Sequence, residues 1–444
     1  MKKDEPTILV IFGISGDLAG RYLLPAIGQI AKAKMLPKYF KIIGITRNLS
    51  FNTEKVFKNT SNKKVVQKVT SFFEMDVNDK NEYEKLDNLI KKEEEKFGQP
   101  AQKLFYLSIP PKACAPIIQM LGFSGIAKRK DVKLLLEKPF GNDLKSAEEL
   151  VKLTKRYFDE DKVYRIDHYL AKESVQNIIT FRNGNPIFRK TWNNKFIERI
   201  DIIASENIDI EGRANFYEQT GALRDYVQSH LLQLTALTLM NLPDNCAINN
   251  IPKLRLNTLQ KLGITCDLDK NDCVKRAQYD GYAKEVKNKH SQIETFVSMK
   301  LYSSDKNWRG VPIYVTTGKA LNRKLTEIKI KYKKYCNFES NELAIRIQPN
   351  PGIEFSVWLK KPGYEWEVSP HLLHFAFKEH YKKLPEAYEQ VLFSAINSDR
   401  DLFPSGKEII ESWRILDIVQ KAWKEKKYKL TKYKKGTRLE NMIQ

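Results

Sequence analysis

The chain has 444 residues, 42% hydrophobic and 11% aromatic, which is enough apolar material for a large core in two domains and too much for a disordered chain. Its net charge of +22 invites a nucleic-acid reading, but lysines such as those of "KIKYKKY" and "WKEKKYKLTKYKK" are spread along the chain among acids and aromatics, without a nucleic-acid motif, and read as a solvated surface suited to small anions. No apolar run is long enough to cross a bilayer, and "MKKDEP" before "ILVIFGI" lacks the basic flank and cleavage site of a signal peptide, so a cytoplasmic protein is expected.

In chain order, the apolar run "TILVIF" leads directly into "GISGDLAGRYLLP", residues 13–25. Gly13 and Gly16 allow a tight turn and a close backbone approach, and a helix following it would aim its N-terminal N–H groups at an anion. The string is not the strict G-x-G-x-x-G, so alone it is equally compatible with an ordinary strand-to-helix turn. "KIIGIT", "KLFYLSIPP" and "VKLLLEKPF" repeat the buried-strand pattern, with helix-compatible stretches between them. That alternation predicts a parallel sheet with crossover helices. "KIIGIT" is followed by Arg47 with no acid beside it; a basic residue at that strand end suits the 2′-phosphate of NADP, where an acid would select NAD. Glu137, Lys138 and Pro139 sit at the carboxyl end of the next buried strand, a ligand-binding edge in open parallel sheets. The Lys138–Pro139 bond is open to the cis form. "DLKSAEELVKLTKRYF" has apolar residues at helical spacing.

"RIDHYLAKES" then gathers Asp167, His168, Tyr169 and Lys172. A helical turn would place His168 and Lys172 on one face, where two cations and a hydroxyl suit a phosphate monoester. After about residue 165 the pattern changes. "ERIDIIASE" alternates as a strand, and "TGALRDYVQSHLLQLTALTLM" reads as one long helix carrying Asp225 and His230 beside an apolar stripe. A histidine there is either a satisfied core residue or a general base oriented by a carboxylate. Residues 245–290 are polar and weakly patterned. "IETFVSMKLY", "VPIYVTTG", "TEIKIKYKKY", "ELAIRIQPN" and "GIEFSVWLKKPG" follow with period 2, the mark of an antiparallel sheet with one covered face. "LPEAYEQVLFSAI" and "EIIESWRILDIVQKAW" close the chain as helices. Five scattered cysteines form no C-x-x-C pair and read as reduced thiols. No His, Cys or carboxylate set has metal-ligand spacing.

"GISGDLA", "EKPFG", "RIDHYLAKE", "EGRANFYEQTGALRD", "GKALNRK" and "RIQPN", in this order between about residues 7 and 420, resemble the signature segments of the glucose-6-phosphate dehydrogenase family. The resemblance implies an α/β plus α+β fold. A Rossmann-type parallel-sheet domain over 1–165 would bind NADP. A domain with a large, mostly antiparallel sheet over 166–444 would bind substrate and form a homodimer or higher homo-oligomer, with the site between the two domains. It implies oxidation of glucose 6-phosphate at C1 to 6-phosphogluconolactone, the first step of the oxidative pentose phosphate pathway, with hydride transfer to NADP, no metal, no nucleic acid and no membrane. It places Gly13, Ile14, Ser15, Gly16, Asp17, Leu18, Arg47, Asp76 and Val77 at the cofactor, and Lys138 at both cofactor and substrate. His168, Tyr169, Lys172, Lys319 and Lys324 would hold the sugar phosphate and neighbouring hydroxyls, while Glu206 and Asp225 accept bonds from sugar hydroxyls. His230 would be the base and Asp167 its orienting partner. Three residues depart from the family pattern: Tyr22 replaces a lysine, Ala171 a glycine and Ser229 an asparagine. Two other readings are an NADP-dependent oxidoreductase of another sugar, which would leave "RIDHYL" unexplained, and a binding protein derived from a dehydrogenase.

Overall fold

The computed structural model describes residues 5–243, 250–264, 273–425 and 429–443. The chain forms two compact units, Met1–Ala171 with Pro385–Ile409, and Lys172–Leu384 with Ile410–Gln444.

The first unit is built on six parallel strands: β1 (Thr7–Phe12), β2 (Phe40–Thr46), β3 (Thr70–Glu74), β4 (Gln102–Leu107), β5 (Val132–Leu136) and β6 (Val163–Arg165). Their order is β3-β2-β1-β4-β5-β6. Every residue of β1 and β4 is buried, which explains their unbroken apolar runs. The chain order reverses direction between β1 and β4, and crevices at the carboxyl ends of strands open at such a point. The sequence reading missed β3 and β6, which are short and carry little apolar alternation. Helix Leu144–Tyr157 starts where expected, with Asp143 accepting from Ser146 N–H in a capping box and Ala147, Val151 and Thr154 buried.

Residues 385–409 return to this unit from far along the chain. Val391, Leu392 and Ala395 of helix Ala387–Ile396 share a core with Ile27, Ile30 and Leu104. Buried Lys133 donates to the Ala395 carbonyl at 2.7 Å and Ser398 Oγ at 2.9 Å. These bonds satisfy an ammonium group that would be costly to leave unpaired in the interior.

The second unit holds a ten-stranded sheet: β7 (Ile197–Ser205), β8 (Leu262–Ile264), β9 (Val274–Tyr279), β10 (Phe296–Ser303), β11 (Ile313–Gly318), β12 (Leu325–Tyr332), β13 (Glu342–Gln348), β14 (Gly352–Lys360), β15 (Val368–Ala376) and β16 (Thr431–Tyr433). The order is β15-β14-β13-β12-β7-β11-β10-β9-β16, with β8 beside β10. Pairing is antiparallel except for β7–β11 and β9–β16. In β12, Ile328 and Ile330 are buried while Lys329 and Lys331 are partly exposed, as the period-2 pattern requires.

The stretch read as one long helix is instead three segments: Ala214–Ala222, a π-helical Leu223–Leu231, and Leu232–Leu239. The break falls at Gly221, whose φ of 65° and ψ of 179° are non-helical. Cys114 and Cys336 are free thiols. Cys273 is disulfide-bonded, so the expectation of uniformly reduced cysteines fails there. Cys246 and Cys266 lie outside the described residues. No helix among the described residues is long and apolar enough to cross a membrane.

Candidate functional site

In the first unit, β1 runs into the glycine turn. Gly13 has a φ of +80°, and a Cβ there would lie 2.3 Å from the Ser108 carbonyl oxygen, so only glycine fits. Gly13 and Ile14 both donate their N–H groups to the Ile45 carbonyl at 3.1 and 3.2 Å, and Gly16 N–H closes the turn on the Gly13 carbonyl at 2.9 Å. Ser15 Oγ lies 3.4 Å from Thr46 Oγ1. The turn is thus fixed to the end of β2. A π-helical segment, Ala19–Leu23, follows Leu18, whose side chain makes no capping bond. A cavity of about 560 Å³ beside the turn is lined by Ser15, Gly16, Asp17, Arg21, Lys55 and Lys58, among others. Arg47 is exposed just beyond β2, and Asp76 and Val77 follow β3. The strand order therefore sets Gly13, Arg47 and Asp76 at the carboxyl ends of three adjacent strands. Asp76 Oδ1 accepts from Asn78 N–H, and the Val77 carbonyl accepts from Tyr83.

The second cluster of this unit lies past β5. Lys138 precedes Pro139 through a cis peptide bond. The Tyr106 hydroxyl donates to Glu137 Oε1 at 2.5 Å, and the Tyr388 hydroxyl also bonds this carboxylate. Burial pushes the Glu137 carboxyl up to about 7, against the opposing pull of those two hydroxyls and Lys138. The Tyr388 ring stacks on His168, with centroids 6.2 Å apart and planes 12° apart. Asp167 is buried and accepts from Tyr169 N–H at 2.9 Å. Tyr169 itself is buried.

The expected helical turn across His168 and Lys172 is not formed. Residues 168–171 make a turn, and Lys172 is extended, with ψ 135°, ahead of helix Glu173–Gly184. The bond from Tyr169 N–H to Asp167 tightens the chain locally in place of a helix. The shared helical face expected for these two residues is therefore absent.

In the second unit, Lys172 Nζ donates to Gln348 Oε1 at 2.8 Å. Gln348 closes β13 in the "RIQPN" segment, and its amide donates to Thr326 Oγ1 at 3.1 Å. Glu206, just past β7, forms a 2.5 Å ion pair with buried Lys319. Lys324 is exposed, just ahead of β12. Asp225 and His230 both lie in the π-helical segment. Bonds between residues five apart stack those residues on adjacent turns, so Asp225 and His230 share a face; in an α-helix they would diverge by roughly 140°. His230 is 1% exposed, with Tyr226 edge-on at 5.6 Å. Sequence reasoning missed Tyr106, Tyr388 and Gln348. The "RIQPN" segment is the sequence signal for Gln348, whereas nothing local marks the two tyrosines.

Residues 10–177 match the family model described as glucose-6-phosphate dehydrogenase, NAD binding domain, and residues 179–442 match glucose-6-phosphate dehydrogenase, C-terminal domain. The chain belongs to the glucose-6-phosphate dehydrogenase family. It is similar to glucose-6-phosphate 1-dehydrogenase of Borreliella burgdorferi, with 35% identity covering 94% of this chain and 91% of that protein. A solved glucose-6-phosphate dehydrogenase in complex with its substrate glucose-6-phosphate superposes with a TM-score of 0.91 at 28% identity, covering 99% of this chain and 96% of the other. The glucose-6-phosphate 1-dehydrogenase of Mycobacterium avium gives 0.82 at 29% identity, covering 97% and 95%.

Membership in the glucose-6-phosphate dehydrogenase family makes this chain an oxidoreductase that uses a nicotinamide dinucleotide. The backbone cradle at Gly13, which a Cβ would fill, and the adjoining cavity bearing Arg21, Lys55 and Lys58 fit the diphosphate of such a cofactor. One departure from the family pattern now has a structural setting. Tyr22 packs its ring 5.2 Å from that of Tyr388, while the neighbouring Arg21 pairs with Asp17 at 3.2 Å.

Proposed function

We propose that this chain oxidises D-glucose 6-phosphate at C1 to 6-phospho-D-glucono-1,5-lactone with NADP, the first step of the oxidative pentose phosphate pathway. The observation that carries the reading is the family match across both units; Lys138, Asp167, His168, Lys172 and His230 stand in the segments whose sequence resembles the family's. We assign NADP binding to residues 1–165, and substrate binding and dimerisation to residues 166–444, in a cytoplasmic homodimer.

In this reading His230 is neutral at working pH and takes the proton from the C1 hydroxyl. Asp167 orients its imidazole and stabilises the imidazolium that results. His168 and Lys172 carry charge to the sugar phosphate, helped by Tyr169, Lys319 and Lys324. Glu206 and Asp225 accept bonds from sugar hydroxyls. The Lys319 ion pair supports a preset position for Glu206, and Lys138 spans substrate and cofactor. The dinucleotide, when bound at Gly13–Leu18, Arg47, Asp76 and Val77, supplies the hydride acceptor.

The test is reduction of NADP with glucose 6-phosphate against free glucose, in the parent chain and in His230→Asn. The phosphorylated sugar should be strongly preferred. His230→Asn should lower kcat by about 10²–10⁴-fold with little change in glucose 6-phosphate affinity. Near-normal kcat per folded molecule alongside a lowered Tm would make His230 a core residue and end the assignment.

A further inference from the structure

Glu294 belongs to none of the family-like segments and stands only in the strand stretch "IETFVSMKLY". It is 4% exposed, at the end of the "SQIE" stretch just before β10, and it closes on the break in the helix that carries Asp225 and His230. Glu294 Oε1 accepts the Leu223 N–H at 2.9 Å, across 71 residues of sequence. Its main-chain carbonyl accepts the Ala222 N–H at 3.0 Å. Two successive N–H groups at the start of the π-helical segment therefore terminate on one residue. These are the donors that a helix start leaves without intrahelical partners.

Gly221 is cut to fit this arrangement. A Cβ at that position would stand 2.4 Å from Glu294 Oε1. The carboxylate occupies the space a side chain would need, and the glycine adopts a φ of 65° that side chains disfavour. Charged and titratable groups facing Glu294 come from several elements: Tyr217, Arg224, Arg276 and Tyr282. Lys424 shares with Glu294, Arg224 and Arg276 the lining of a cavity of about 240 Å³. Burial pushes the Glu294 carboxyl up to about 7, so retaining an acid here works against burial. The bonds to the helix start are the compensation the structure displays.

We propose that Glu294 is a positioning residue for the oxidation: it fixes the start of the segment from Leu223 to Leu231 and thereby the placement of Asp225 and His230. The inference rests on the assignment of His230 as base. Asp225 stands two residues and His230 seven residues after Leu223 in this segment, so a displacement at its start carries along the segment to both groups.

The experiment compares Glu294→Gln, Glu294→Asp and Glu294→Ala in the full chain, with folding checked by circular dichroism and Tm. Glutamine keeps an oxygen at the right reach for the Leu223 N–H. Aspartate keeps the charge but is one methylene too short, and alanine removes the acceptor. Aspartate and alanine should lose roughly 10–100-fold in kcat, with the KM for glucose 6-phosphate within about threefold of the parent, because misplacement by about an ångström acts on the chemical step. Glutamine should stay within about threefold of the parent kcat. If alanine fails to fold, the contrast between glutamine and aspartate decides alone. Parent-like kcat in folded Glu294→Asp, or a loss in glutamine equal to that in aspartate, overturns the proposal. If His230→Asn keeps full kcat, the base assignment itself fails. If His230→Asn is inactive while Glu294→Asp is not, only the positioning role fails.

Discussion

Arg47 shows how far a single residue can be read from sequence. It follows a buried strand, no acid stands beside it in sequence, and the structure leaves it exposed at the carboxyl end of β2. A guanidinium there can pair with a ribose 2′-phosphate, which NAD lacks. Arg47→Ala should therefore raise the KM for NADP by roughly 10–150-fold, the loss of a charge-assisted bond of about 1.5–3 kcal/mol. The KM for NAD should hardly change. Steady-state kinetics with both cofactors check this, and an equal loss with each would remove Arg47 as the selector. Other residues were legible by type but not by surroundings. Glu137 was visible as part of "EKPFG", but its contact with Tyr388 was not, since 251 positions (388 − 137) separate the two in sequence. The lysine-to-tyrosine change at position 22 was likewise readable, while the packing of Tyr22 on Tyr388 was not.

At the scale of elements, the periodicity located most strands and misjudged one helix. Apolar spacing cannot tell an α-helix from a π-helical segment of nine residues, because both keep one face covered over so short a length. The difference matters, since five-residue spacing aligns Asp225 with His230 only in the wider helix. The edge of the large sheet carries a second element-scale consequence. Strand β15 is outermost, and its adjacent residues Leu372 and Leu373 are 64% and 59% exposed. Successive strand residues point to opposite faces, so apolar surface is uncovered on both sides of that edge; Leu359 of β14 and Trp366, just before β15, are exposed as well. This surface supports the homodimer reading. On the proposed homodimer reading the parent should sediment as a dimer and the double variant Leu372→Asp/Leu373→Asp as a monomer, with its fold intact by circular dichroism. Unchanged sedimentation would move the interface elsewhere.

For the whole molecule, the buried carboxyls of Glu137 and Glu294 both titrate near 7, burial being the leading cause in each. A carboxyl raised in the folded state binds its proton more tightly there than in the unfolded chain. Stability then falls as pH rises from the unfolded value, about 4.5, through about 7, and levels off above. For the deeply buried Glu294 the swing is on the order of 3 kcal/mol. Tm should decline between pH 5 and pH 7.5, and Glu294→Gln should flatten that decline. A parallel decline in this variant would show that other groups govern it.

The sequence by itself determined the succession of a parallel and a mostly antiparallel sheet, the glycine turn after β1, and the motif positions of the proposed site. All of these are written in residues a few positions apart, where strand and helix periods and turn chemistry act. Only the tertiary structure decided that Lys133 anchors a segment 262 residues away, that Tyr388 closes on Glu137 and His168, and that Glu294 sets the start of the segment bearing His230. Those contacts arise because buried polar groups must find partners wherever packing brings them, and which distant partner arrives is a property of the folded core rather than of any local pattern.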